Sequence, residues 1–170
     1  MNANYEWTRK TICAYTRYQP MKIYLDACCW NRPFDDQSQN RVRLEAEAVL
    51  SILGMAESGE LEIAGSDIIE GELSQMPDRE RRGKVELLLT LASSHIALTP
   101  AIERRGTELR SMNFAPWDAL HLASAESARV DCFLTTDDEL LRKANRQQSA
   151  LKVKVENPAR WLIQEATNED

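Results

Sequence analysis

The sequence predicts an α/β fold of three layers, a central and mainly parallel five-stranded sheet with helices on both faces. Three observations predict it. Short apolar runs alternate with longer stretches whose apolar residues recur every three or four positions, the pattern of strands joined by crossover helices. Two of those runs, Lys22 to Leu25 and Cys132 to Leu134, lead directly into acid, at Asp26 and at Thr135-Thr136-Asp137-Asp138. The chain of 170 residues, 43% hydrophobic and 28% charged, suits one compact domain with a core large enough to fold alone.

Residues 1–20, MNANYEWTRKTICAYTRYQP, show no clear period and close on Pro20. They are expected to form an extension that does not carry the function, ahead of a domain over 21–166 and a tail at 167–170. The first strand is expected at 22–25. Residues 30–39, with Pro33, Asp35 and Asp36, read as a loop or a broken first turn. Residues 40–57 read as a long helix, because Val42, Ala46, Val49, Leu50, Leu53 and Ala56 share one face and Gly59 ends the pattern. A second strand is expected at 61–64, and Gly65-Ser66 turns into a helix, capped by Ser66 or Asp67, that carries Glu70 and Glu72.

Asp78 opens a helix over 79–93 whose first half is basic and whose second half is leucine-rich. A third strand is expected at 96–98. Pro100 begins a helix to about residue 112, and Ala115-Pro116-Trp117 begins the next, to about residue 129. The fourth strand is 132–134, a helix follows at 137–146, and a fifth strand is expected at 151–155. Asn157-Pro158 caps a terminal helix.

The net charge of −6 and a pI near 5.1 argue against an extended basic surface for non-specific nucleic-acid binding. An excess of acid suits a metal site. Cys13, Cys28, Cys29 and Cys132 show no C-x-x-C spacing, so buried free thiols are expected rather than a disulfide framework or zinc knuckle. No apolar run approaches the roughly 18 residues of a membrane span, and the N-terminus lacks the apolar core of a signal peptide. A soluble, cytoplasmic protein is expected.

Four acids stand out by position. Asp26 and Asp137 follow strands, and the crevice outside the carboxyl ends of strands is where open α/β sheets bind ligands. Glu72 lies on the helix after the second strand, at the same end if every crossover is right-handed. Asp118 sits in Trp117-Asp118-Ala119-Leu120-His121-Leu122-Ala123-Ser124-Ala125, where its helix neighbours are mostly small and apolar. A carboxylate on such a face needs a cation or hydrogen-bond partners. Singly, Asp26 reads rather as a turn residue and Asp118 and Asp137 rather as helix caps. Together they form a cluster of hard oxygen ligands suited to Mg²⁺ or Mn²⁺.

The chain resembles the PIN-domain nucleases over about residues 21–160. The resemblance lies in the opening strand that ends on Asp26, the Ser66-to-Leu73 segment with Glu72, the helix Trp117-Asp118-Ala119-Leu120-His121-Leu122-Ala123, and Leu134-Thr135-Thr136-Asp137. It implies that Asp26, Glu72, Asp118 and Asp137 bind the metal, with Thr135 as a hydroxyl that orders the last of them. It further implies a divalent-metal-dependent ribonuclease with RNA as substrate, of the kind found as VapC-like toxins. An antitoxin protein and a second copy of the chain are then the expected partners. The loop Cys29-Trp30-Asn31-Arg32-Pro33-Phe34-Asp35-Asp36 departs from the usual toxin pattern.

Other residues are weighed against this set. His121, three residues after Asp118, is in reach of a hydrogen bond to it and reads as a supporting residue. Arg32 is the phosphate-binding candidate, because a guanidinium pairs two oxygens at once. Arg79, Arg81, Arg82 and Lys84 read as a solvated helix start, with RNA backbone contact as the alternative. A signalling receiver is disfavoured, since its acidic pair after strand one is replaced here by Asp26-Ala27. The remaining alternative is a non-catalytic scaffold of the same fold that binds a partner protein.

Overall fold

The computed structural model describes residues 20–168. Residues 1–19, nearly all of the expected extension, and positions 169 and 170 of the expected tail lie outside the described residues. The chain order is β1 (Met21–Leu25), α1 (Ala27–Asn31), a 3₁₀ turn (Arg32–Phe34), α2 (Asn40–Glu57), β2 (Leu61–Ser66), α3 (Asp67–Ser74) and α4 (Arg79–Leu89). It continues with β3 (Ser94–Ile96), α5 (Pro100–Ser111), α6 (Pro116–Ser127), β4 (Cys132–Leu134), α7 (Asp138–Arg146), a second 3₁₀ turn (Gln148–Ala150), β5 (Lys154–Glu156) and α8 (Pro158–Asn168).

The five strands form one sheet in the order β3-β2-β1-β4-β5, and every pairing is parallel. β1 lies at the centre, with Ile23 opposite Ile63 of β2 on one side and Cys132 of β4 on the other. Ile23, Tyr24 and Leu25 are fully buried, as expected of a central strand covered on both faces. Helix α2 turns Ala46, Val49, Ile52 and Leu53 inward and packs against α8, which buries Trp161. Helices α5 and α6 pack closely: a Cβ added at Gly106 would lie 2.9 Å from Leu120 Cδ2.

The differences from expectation have local causes. The 30–39 segment begins in a short helix and a 3₁₀ turn, because the Asp26 side chain caps Ala27 and Trp30 Nε1 donates to Leu25 O at 3.0 Å. The third strand is Ser94–Ile96, two residues earlier than expected; Leu98 N–H leaves the ladder to donate to Asp67 Oδ2 at 2.7 Å. The fifth strand starts later, since Gln148–Ala150 coils into a 3₁₀ turn. Asp118 is not a helix cap: Ala115 occupies that position of α6, and Asp118 lies within the first turn. Asp137 does cap α7, accepting from Glu139 N at 2.7 Å and Leu140 N at 3.1 Å. Among the described residues no helix is long and apolar enough to cross a membrane.

The strand order reverses between β1 and β4, which makes the crevice beyond their carboxyl ends the topological switch point. Asp26 N–H donates to Leu134 O across that crevice at 2.9 Å. The ends of β1 and β4 are thereby joined where the acids emerge.

Candidate active site

Asp26 leaves β1 with its carboxylate held at both oxygens. Oδ1 accepts from Ala27 N at 2.8 Å, and Oδ2 accepts from Thr135 Oγ1 at 2.7 Å and from Cys28 Sγ at 3.2 Å. Thr135 reaches both strand-end acids, because its Oγ1 also accepts from Asp137 N at 3.1 Å. A threonine in this turn donates its single hydroxyl proton to Asp26 and still offers a lone pair to the amide of Asp137. Cys28 adds to the same knot, its sulfur accepting from Thr136 N at 3.3 Å.

Glu72 enters from α3, about half-way round the helix from Glu70. Their surroundings separate them: Glu70 approaches the exposed His95, whereas Glu72 Oε2 lies 2.6 Å from His121 Nε2. His121 is 1% exposed. Its other nitrogen, Nδ1, lies 2.7 Å from Tyr24 Oη, which in turn lies 2.7 Å from Ser66 Oγ. Ser66 also accepts from Ile69 N at 3.1 Å as the cap of α3. One polar file thus connects β1, the β2–α3 junction and α6. His121 is directed to Glu72 rather than to Asp118, since α6 packs against α3 on that side.

Asp26, Glu72 and His121 each offer an atom within 4.8 Å of the other two. Asp118 is coupled to the same region by charge. Its carboxyl is pushed up to about 6, first by burial and then by the negative charges of Asp26 and Asp137, against the opposing pull of His121 and Lys143. A carboxyl so perturbed, beside other acids and at a switch point, marks a candidate functional site. The donor set fits a divalent cation: hard carboxylate oxygens converge, and their mutual repulsion is what a cation relieves.

Arg32 is engaged inside the protein. Its Nε lies 3.1 Å from Glu45 Oε2 and its Nη1 donates to Asp35 at 3.0 Å, with Glu45 only 3% exposed. Arg81 of the basic patch is tied likewise to Asn31 and Asp35. Sequence reasoning gave Ser66 as a candidate cap of α3, which it is, but did not find its bond to Tyr24 or the roles of Tyr24 and Cys28. The signal for Tyr24 was a hydroxyl inside an apolar strand, since a buried phenol needs a partner.

The PIN domain family model matches residues 23–146. The chain belongs to the PIN domain family. Among solved structures, the PIN domain is similar to a chain in the crystal structure of VapBC2 from Rickettsia felis bound to a DNA fragment from their promoter. That likeness has a TM-score of 0.57 at 16% identity, over 81% of this chain and 98% of the other, and it shows the fold. Comparison with curated protein sequences gives no match.

Proposed function

We propose that this PIN domain is a divalent-metal-dependent endoribonuclease that hydrolyses RNA phosphodiester bonds with Mg²⁺ or Mn²⁺. The observation that carries the reading is the convergence of Asp26 and Glu72 within ligand reach, together with an Asp118 carboxyl whose charge is opposed by Asp26 and Asp137. When bound, the divalent ion supplies an activated water and neutralises phosphate charge. Asp26 and Glu72 would hold the ion, while Asp118 and Asp137 would orient water beside it. Thr135 keeps Asp26 and the Asp137 backbone in one geometry, and the Asp137 carboxylate is steadied by capping α7.

The toxin role and its partners belong to the same proposal. The similar Rickettsia felis chain comes from a VapBC2 complex, and family membership favours an antitoxin protein as partner here. A homodimer acting in the cytoplasm on RNA completes the reading. Incubation of purified protein with labelled single-stranded RNA, with Mg²⁺ or Mn²⁺ and with excess chelator, tests the activity. Cleavage only with metal is expected, and equal cleavage in chelator would reject the mechanism. A small antitoxin-like reading frame beside the gene, whose product binds the protein, is the matching test of the toxin role.

A further inference from the structure

The file Ser66–Tyr24–His121 ends on the two carboxylates of the site, with Nε2 2.6 Å from Glu72 Oε2 and 3.9 Å from Asp26 Oδ1. Its members are buried, with Tyr24 and Ser66 fully so, and their partners are the protein groups along the file. The protons along it can run in two directions. In one, Ser66 donates to Tyr24, Tyr24 donates to Nδ1, and Nε2 carries a proton to Glu72. In the other, Nδ1–H donates to Tyr24 Oη, and Tyr24 donates to Ser66 Oγ, which receives Ile69 N–H on its second lone pair, at the cost of the acceptor for the Ser66 hydroxyl proton. Nε2 then presents a bare lone pair between Glu72 and Asp26. That arrangement is unfavourable beside two carboxylates alone and favourable when a cation lies among all three.

We propose that His121 Nε2 is a nitrogen ligand of the ion held by Asp26 and Glu72, with Tyr24 Oη accepting the Nδ1 proton from behind. The inference rests on the metal-dependent reading above and deepens it. The spacing supports it. With bonds of about 2.1 Å, ligand atoms at right angles on one ion sit about 3 Å apart and opposite ones about 4 Å apart. The Nε2 separations of 2.6 Å and 3.9 Å therefore need little rearrangement to admit an ion. The consequence is metal choice. Mg²⁺ takes oxygen ligands, whereas first-row divalent ions accept imidazole, so His121 favours Mn²⁺ over Mg²⁺.

The test is pulsed electron paramagnetic resonance on the untagged full chain loaded with Mn²⁺, which detects a directly bound imidazole nitrogen. The chain has two histidines, His95 and His121, so the source of any coupling is assignable. Nitrogen coupling is expected in the wild type and in His95→Gln, and its loss in His121→Gln. The Mn²⁺ dissociation constant should rise about tenfold or more in His121→Gln, while Mg²⁺ affinity changes less than about twofold. Tyr24→Phe should keep the coupling and weaken Mn²⁺ severalfold. If His121→Gln does not fold, the wild-type and His95→Gln spectra decide alone. Bound Mn²⁺ without nitrogen coupling, or coupling lost in His95→Gln, overturns the assignment and leaves the carboxylate metal site standing. Failure to bind Mn²⁺ at all overturns both.

Discussion

Replacing Asp118 by Asn should stabilise the metal-free protein. The carboxyl is held near 6 against an ordinary value of 3.8, by burial first and then by Asp26 and Asp137. The folded state therefore binds a proton more readily than the unfolded chain, so this group's contribution falls as pH rises from about 4 to about 6 and is fully unfavourable above that. The displacement corresponds to about 3 kcal/mol at pH 7 as an upper bound, because the group is partly solvated. Asn keeps the shape but still loses water on burial, which leaves an expected gain of about 2 kcal/mol, or about 4–8 °C in Tm for a domain of this size. Melting curves of both proteins in chelator at pH 7 should show that gain, and at pH 3.5 it should vanish. With Mn²⁺ or Mg²⁺ the wild type should gain stability by mass action and the variant much less. A lower Tm for Asp118→Asn in chelator, with an unchanged metal response, would refute the clustered-acid argument.

Asp26→Asn should lower RNA cleavage by about 10²-fold or more, measured at saturating Mn²⁺. Circular dichroism should show the fold intact, because the amide oxygen still accepts from Ala27 N and the amide N–H can donate to the Thr135 hydroxyl oxygen in place of the bond it received. Glu72→Gln should abolish the metal dependence of cleavage while Glu70→Gln changes little, since only Glu72 touches His121 and Glu70 faces His95; equal effects in initial-rate assays would count against the assignment. Thr135→Val removes the hydroxyl that donates to Asp26 and accepts from Asp137 N, and denaturant titration should show a loss of about 1–3 kcal/mol. Gly106→Ala should change stability by less than about 1 kcal/mol in the same experiment, because its methyl meets only the end of the Leu120 side chain, which can turn aside, and alanine is the better helix former; a loss above about 3 kcal/mol would mean that Leu120 is locked between α5 and α6.

The sequence by itself determined the alternation of strands and helices, because hydrophobic period and turn residues are local properties. Asp26 and Asp137 were legible for the same reason: each follows a short apolar run, and a strand end in an open sheet faces the crevice. Asp118 was legible as an acid on an apolar helix face, although its place within the first turn, rather than at the cap, depended on Ala115 taking that position. The edge strands were less legible. Ser94–Ile96 and Lys154–Glu156 are three residues each, too short to carry a period, and pairing with β2 and β4 fixes their limits. Only the tertiary structure decided who meets whom. His121 joins Glu72 from 49 positions away and Tyr24 from 97, and Arg32 is claimed by Glu45 of α2. Such partners follow from sheet order and helix packing, which bring distant segments together without leaving a local pattern, and the need of buried polar groups for partners then selects among the neighbours so created.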